Sequence, residues 1–293
     1  MDILPGKLYL VPTPIGNLED LSPRAAQVLA EADPIAAEDT RVAAQLLARL
    51  KLPFKELLSY HEHNEQSRVD QILAKLAAGQ TIALVSDAGM PAISDPGQIV
   101  VAAAVQAGYT VCALPGPNAA LTALAASGLD SRYFHFEGFI PVKGKEREAR
   151  LQVLAGQAET ALIYEAPHRL SKTLDDLAAQ GLGDRRLCLA RELTKPYESY
   201  LYLSLDEARD QLKVQAPRGE YVLVLEGREA YLARCPEADL ADQKDLEDQV
   251  REKILLLRKA GLKDRGILEV LLGLCDLGKN DLYQLIKEVA DPV

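Results

Sequence analysis

T-I-A-L-V-S-D-A-G-M-P-A-I-S-D-P-G, residues 81–97, decides the fold. Its first five residues form an apolar, β-rich run of strand length. Beyond Val85 the composition switches to Ser, Asp, Gly and Pro, the residues that build turns. A helical stretch follows, opened by Asp95-Pro96 and ending at Gly108. The hand-over from strand to loop to helix recurs. After Val11 comes Pro12-Thr13-Pro14-Ile15-Gly16-Asn17, and after Ala37 comes Glu38-Asp39-Thr40-Arg41. After Leu114 comes Pro115-Gly116-Pro117-Asn118. Strands that alternate with helices pair mainly in parallel, so these loops converge on one edge of a sheet. In open α/β sheets, ligands bind outside that edge.

Working outward, the strand runs are Lys7–Val11, Ile35–Ala37, Leu57–Tyr60, Thr81–Val85 and Thr110–Leu114. Ser22-Pro23 starts a helix at Pro23–Ala32, Thr40 can cap the next, Gln66–Ala78 stops at Gly79, and Asn118–Ser127 stops at Gly128. A second series has strands at Phe134–Ile140, Thr160–Tyr164, Arg186–Ala190, Ser199–Leu203 and Glu220–Leu225, with a mixed sheet expected. Helices lie near Glu146–Leu154, Leu170–Ala179 and Leu205–Leu212. After Gly227 an acidic segment, Glu237–Gln249, leads into helical stretches near Leu246–Lys259, Arg265–Leu274 and Asn280–Val289. The second turn is tight, as in a helix-turn-helix, and a plain helical cap on the lobe or a dimer contact fits equally well. The expected fold class is α/β: two α/β lobes (1–130 and 131–230) with a ligand cleft between them, plus a small all-α C-terminal module (240–293).

The 293 residues are 48% apolar and 26% charged, a globular profile. No run is long and apolar enough for a membrane span, and the expected location is cytoplasmic. Cys112, Cys188, Cys235 and Cys275 lack metal or disulfide spacing and are expected to be free thiols. A net charge of −10 opposes nucleic-acid binding unless basic residues cluster locally. Two clusters do: Lys143–Arg150 has four basic and two acidic residues, and Arg251–Arg265 has six and two.

The second lobe contributes two further loops, Glu165-Ala166-Pro167-His168-Arg169 after Tyr164 and Arg191-Glu192-Leu193-Thr194-Lys195 after Ala190. Neither dinucleotide-binding nor P-loop glycine patterns occur, which disfavours those cofactors. Loop amides, glycines and prolines suit a folded small molecule instead, and Asp87 can accept from its hydroxyl or ammonium groups. His61 and His63, beside Glu62 and Glu65, have no third ligand at convincing spacing, so no metal is expected. A capping role is expected for Asn64, with the histidines lining the cleft.

The strings V-P-T-P-I-G-N-L-x-D-L, A-A-E-D-T-R, H-x-H-N-E, A-L-V-S-D-A-G-x-P, L-P-G-P-x-A, Y-E-x-P-H-R and L-A-R-E-L-T-K, in order from about residue 5 to 228, resemble the tetrapyrrole-methylase superfamily. More closely they resemble its ribosomal small-subunit RNA (cytidine-2′-O)-methyltransferase branch, part of which carries a similar helical tail. The resemblance implies that S-adenosylmethionine binds between the lobes at Ile15, Ser86, Asp87, Met90, Asn118, Ala119, Glu165 and Leu193. Ser86 stands where the superfamily often has glycine, and Met90 where the branch often has threonine; neither change removes a charged contact.

The implied reaction is 2′-O-methylation of a cytidine in the decoding region of 16S ribosomal RNA. The implied partner is that RNA or the small ribosomal subunit, and the implied state a homodimer. A ribose hydroxyl needs a base, and the candidates are Glu38, Asp39, Glu165, His168, Glu192 and Lys195. Arg41, Arg169 and Arg191, with Lys143 and Lys145, are the expected RNA contacts, since guanidinium forks suit phosphates. Two other readings stay open: a methylase acting on a tetrapyrrole, and a ligand-sensing regulator whose C-terminal helices bind DNA. Methyl transfer in vitro separates the regulator from both enzymes.

Overall fold

The computed structural model describes residues 6–214, 216–274 and 277–289. They divide into two compact units, up to Arg228 and from Glu229 onward.

The first sheet of the larger unit holds β1 (Lys7–Leu10), β2 (Ile35–Ala37), β3 (Leu57–Ser59), β4 (Ile82–Val85) and β5 (Thr110–Ala113). Its order is β3-β2-β4-β1-β5, and every pairing is parallel. Alternate residues of each strand feed opposite faces. Tyr9, Val11, Ala83 and Val85 pack with α1 (Pro23–Glu31) and α2 (Thr40–Arg49). Leu8, Leu10, Ile82 and Leu84 pack with α3 (Glu65–Ala77) and α4 (Gln98–Gln106). The interleaving of apolar residues on both faces is why these strands read as continuous apolar runs.

The helix starts show where local signals held. Ser22 caps α1 by accepting from the Ala25 amide, with Pro23 at the first position, a contact typically contributing about 1 kcal/mol. The cap of α2 is Asp39, one residue before the expected Thr40, because the carboxylate accepts from the Arg41 amide. Asp95-Pro96 does not open α4, which begins at Gln98 after Gly97 in a positive-φ conformation. Asn64 sits at the cap position of α3 but folds backward: it accepts from the His61 amide and donates to Ser59. His61 and His63 are on the turn before α3, outside the main cavity wall.

The second sheet holds β6 (Phe134–Phe139), β7 (Thr160–Glu165), β8 (Arg186–Arg191), β9 (Ser199–Ser204) and β10 (Tyr221–Leu225) in the order β6-β7-β10-β8-β9. Only β6 and β7 are parallel, so the sheet is mixed as expected. One face packs against α6 (Gly144–Gly156), α7 (Pro167–Leu177) and α8 (Leu205–Val214). The other takes α5 (Ala119–Ser127), whose Ala120, Ala123 and Leu124 bury against Leu162, Cys188, Ala190, Val222 and Val224. The helix that follows the first sheet therefore closes on the second.

The smaller unit contains most of α9 (Arg228–Arg234), with α10 (Pro236–Lys259), α11 (Asp264–Leu272) and α12 (Lys279–Glu288). The acidic segment from Glu237 belongs to the first half of the 24-residue α10. Val250, Ile254, Ile267, Leu271, Leu282 and Ile286 form the unit's core. The expected free thiols at Cys112, Cys188 and Cys235 are unpaired; Cys275 lies outside the described residues.

Candidate active site

The parallel first sheet brings the loops after β1, β2, β4 and β5 to one edge. The loops after β1 and β4 are stapled together: Thr13 and Gly89 exchange both backbone hydrogen bonds, at 2.9 and 3.0 Å. In the second sheet, Tyr221 at the start of β10 pairs with Glu165 at the end of β7 and with Arg191 at the end of β8. Two strand ends and one strand beginning therefore share an edge. A cavity of about 520 Å³ opens between the two edges, within the size range of small-molecule sites.

Of the expected cofactor positions, Ile15, Met90, Asn118, Ala119, Glu165 and Leu193 line this cavity. Ser86 and Asp87 do not. Ser86 is buried behind the wall, where its carbonyl accepts from Thr13. Asp87 is exposed and accepts from the Asp39 amide at 3.0 Å. Of the expected catalytic residues, His168 and Glu165 line the cavity, whereas Glu38, Asp39, Glu192 and Lys195 do not.

The pairings of these charged residues sort them. Asp39 grips Arg41 through both carboxylate oxygens, and those hydrogen bonds hold its carboxyl down to about 2. Arg169 donates to the Ile140 carbonyl and pairs with Glu165 at 3.2 Å. Lys195 bridges Glu192 and Glu220, each at 3.0 Å. Lys143 and Lys145 are exposed around the start of α6. Arg191 alone among the three expected arginines has no carboxylate partner among the described residues; its Nε donates to the Arg218 carbonyl.

The wall also holds residues that the sequence did not single out for the site: Asp95, read as a helix start, Tyr164, which opens the Y-E-x-P-H-R string, and Phe139, Glu220 and Tyr221. Burial pushes Asp95 up to about 6, helped by the charges of Glu38 and Asp87 and opposed by a hydrogen bond from Ser86. Burial likewise raises Glu38 and Asp87. Tyr164, raised by burial, accepts from the Ala120 amide. Phe139 leans on it with ring centroids 5.5 Å apart and is half exposed at the rim.

Backbone strain concentrates here. Ala92, Ser94, Glu192 and Thr194 have φ of 67°, 60°, 50° and 64°, a conformation that costs non-glycine residues about 1–2 kcal/mol each. They flank Ile93, Asp95 and Leu193 of the wall, and clustered strain of this kind marks functional loops. The loop around Thr194 rests directly on Gly16. A Cβ there would lie 2.5 Å from Lys195 Cγ, 2.8 Å from Thr194 Oγ1 and 3.1 Å from the Leu193 carbonyl oxygen. Gly16→Ala is expected to push the two loops apart by overpacking, at about 1–3 kcal/mol. If that cost falls on the ligand-bound state, ligand affinity drops about 5- to 150-fold. Calorimetric titration checks this; unchanged affinity would show that the loops yield without opening the cavity.

The class follows from the fold and this interlobe cavity. A family model, "Tetrapyrrole (Corrin/Porphyrin) Methylases", matches residues 7–209. The solved uroporphyrin-III C-methyltransferase of Thermus thermophilus, complexed with S-adenosylhomocysteine, superposes with a TM-score of 0.52 at 20% identity, covering 77% of this chain and 99% of that one. The protein called ribosomal RNA small subunit methyltransferase I in Synechocystis is 43% identical over 97% of this chain and 98% of its own length. The protein of the same name in Halalkalibacterium halodurans is 49% identical over 76% of each. The chain belongs to the tetrapyrrole methylase family and, within it, to the group of ribosomal RNA small subunit methyltransferase I.

Proposed function

We propose that the protein transfers a methyl group from S-adenosylmethionine to a ribose 2′-hydroxyl of a cytidine in 16S ribosomal RNA, in the decoding region. The observation that carries the cofactor reading is the cavity itself. Ile15, Met90, Ala119, Leu193 and Val222 give it apolar walls, and the Asn118 side chain adds a polar group to them. The Asn118 carbonyl oxygen caps α5 through the Leu121 amide, so its amino group remains as a donor. A carboxylate group of Glu38, Asp87 and Asp95 lies beside the cavity and suits a cationic ligand. These features fit a molecule with a flat base, a ribose and a positively charged sulfur. S-adenosylmethionine supplies a methyl group already activated on that sulfur.

The chain's own task is alignment and proton removal. Two apolar walls contributed by different lobes hold the ligand away from water, and orientation alone can supply up to about 7–11 kcal/mol in well-aligned systems. Asp95 is the proton acceptor in this reading. It faces the cavity, is raised toward neutrality, and lies near enough to Tyr164 for its charge to oppose the tyrosine's ionisation. Glu165 is held in place, since Thr173, Arg169 and the Ala166 amide already occupy its oxygens. Phe139 and Tyr164 offer an aromatic edge to a base splayed from a single strand.

The lobes at 1–130 and 131–230 carry the chemistry in this proposal, and the tail at 240–293 serves substrate recognition. The reading also takes the enzyme as a cytoplasmic homodimer. Among the described residues no helix is long and apolar enough to cross a membrane. The test is methyl transfer from radiolabelled cofactor to small ribosomal subunits from cells lacking this enzyme, with free rRNA and a tetrapyrrole precursor in parallel. Label in an alkali-resistant 2′-O-methyl linkage is expected. Label only in the tetrapyrrole, or none in any RNA despite cofactor binding, would overturn the proposal.

A further inference from the structure

A second cavity, about 180 Å³, lies in the same unit on the other face of the second sheet. Side chains alternate along a strand, and β8 shows the result. Ala190 faces the first cavity, while its neighbours Leu189 and Arg191 face the second. Tyr221 borders both. The slot has an apolar floor that includes Leu189, Leu201 and Leu212, and Arg191 and Arg218 stand at its rim. None of its lining residues is acidic.

That charge pattern is unusual in a chain of net charge −10. Arg41 and Arg169 are neutralised by Asp39 and Glu165. Arg191 and Arg218 have no carboxylate partner among the described residues. The Nε of Arg191 donates to the Arg218 carbonyl at 2.8 Å, and the Arg218 amide donates to the Tyr221 hydroxyl at 3.3 Å. This ties the Arg218 turn to the end of β8 and leaves both guanidinium ends for a ligand. The closest acids in sequence, Glu192 and Glu220, are both held by Lys195.

We propose that this slot takes a nucleotide flanking the methylated one, with its base on the apolar floor and its phosphate on Arg191 and Arg218. The inference rests on the RNA methyltransferase reading above and adds a second subsite to it. An RNA strand would then straddle the edge at Tyr221, with the acceptor ribose in the first cavity. Phosphate contacts give affinity and register, and the guanidinium fork suits them.

The experiment compares wild type with Arg218→Ala, Arg191→Ala/Arg218→Ala and Ala216→Trp. It measures transfer to small ribosomal subunits over a range of salt concentrations and cofactor affinity by calorimetry. Arg218 and Ala216 are exposed, so the variants at those positions keep the fold. The double variant is expected to raise KM about tenfold or more, and its log–log salt slope should fall by about 0.7 for each lost single-strand phosphate contact. Ala216→Trp, which obstructs the slot but keeps the charges, is expected to raise KM with kcat unchanged. Cofactor affinity stays within twofold throughout. If wild type transfers methyl groups to RNA and the double variant keeps the same KM and salt slope, the slot is overturned while the function stands. If wild type modifies no RNA, both fall together.

Discussion

Asp95→Asn is expected to lower kcat by about 10²–10⁴-fold, the usual contribution of a positioned general base, while cofactor affinity changes only a few-fold. The carboxyl lines the cavity and titrates near 6, so wild-type kcat should rise about tenfold per pH unit below that value and level off above it. The asparagine variant should lose this limb, leaving kcat flat between pH 5 and 7. Stability should move the other way. The carboxyl is raised from an ordinary value of 3.8, first by burial and then by Glu38 and Asp87. Between about pH 4 and 6 the unfolded chain has lost this proton and the folded chain keeps it, so folding is progressively disfavoured as pH rises. Above 6 the penalty is complete. An amide carries no such penalty, so at pH 7.5 the variant should melt no lower than wild type. A variant that melts much lower, or that keeps the acidic limb, would assign the base elsewhere on the wall, with His168 next in line.

Glu165→Ala is expected to destabilise the protein by about 3–5 kcal/mol, the effect of leaving one partner of a buried ion pair alone. The Glu165 side chain has no solvent exposure. One oxygen takes the Ala166 amide at 2.9 Å and Arg169, and the other takes the Thr173 hydroxyl at 2.6 Å. Thr173 in turn accepts from Arg147, a buried arginine bound to Asp176 and to the Pro141 carbonyl. Removing the carboxylate strands Arg169 and unlinks β7 from the far end of this chain of contacts. Thr173→Val keeps the charge but removes one donor to Glu165 and one acceptor of Arg147, and should cost about 1–3 kcal/mol. Urea unfolding of both variants checks the order. A loss below about 1 kcal/mol for Glu165→Ala would mean that the carboxylate is solvated and available to substrate instead.

The first lobe was legible because its signals are local. There one apolar strand after another is followed by a polar or Gly/Pro-rich loop and a helix, a pattern that favours parallel pairing, so the converging loops around Ile15, Met90, Asn118 and Ala119 could be placed on one edge from the sequence. The Asp95-Pro96 pair shows the limit of that approach. The same two residues that can open a helix also fit the end of a strained loop, and neighbours far along the chain decided for the loop. The chain has only four phenylalanines and no tryptophan, yet two aromatic rings meet at the rim because β6 and β7 are adjacent.

Sequence by itself determined the α/β class, the succession of strands and helices, the family likeness and six of the eight expected cofactor positions on the wall. All of these depend on residues close together in the chain or on the order of motifs. Tertiary structure alone decided which strands meet at the cavity and which side chains face away from it. It put β10 antiparallel between β7 and β8, and so brought Glu220, Tyr221 and Val222 to the cavity. Arg41 and Arg169 meet carboxylates only two and four residues away, but it was the fold that left Arg191 to stand with Arg218 over a slot on the opposite face. The physical reason is register: a side chain's partner is set by which distant strand lies beside it and by which face it points from, and neither is written in the spacing of residues along one strand.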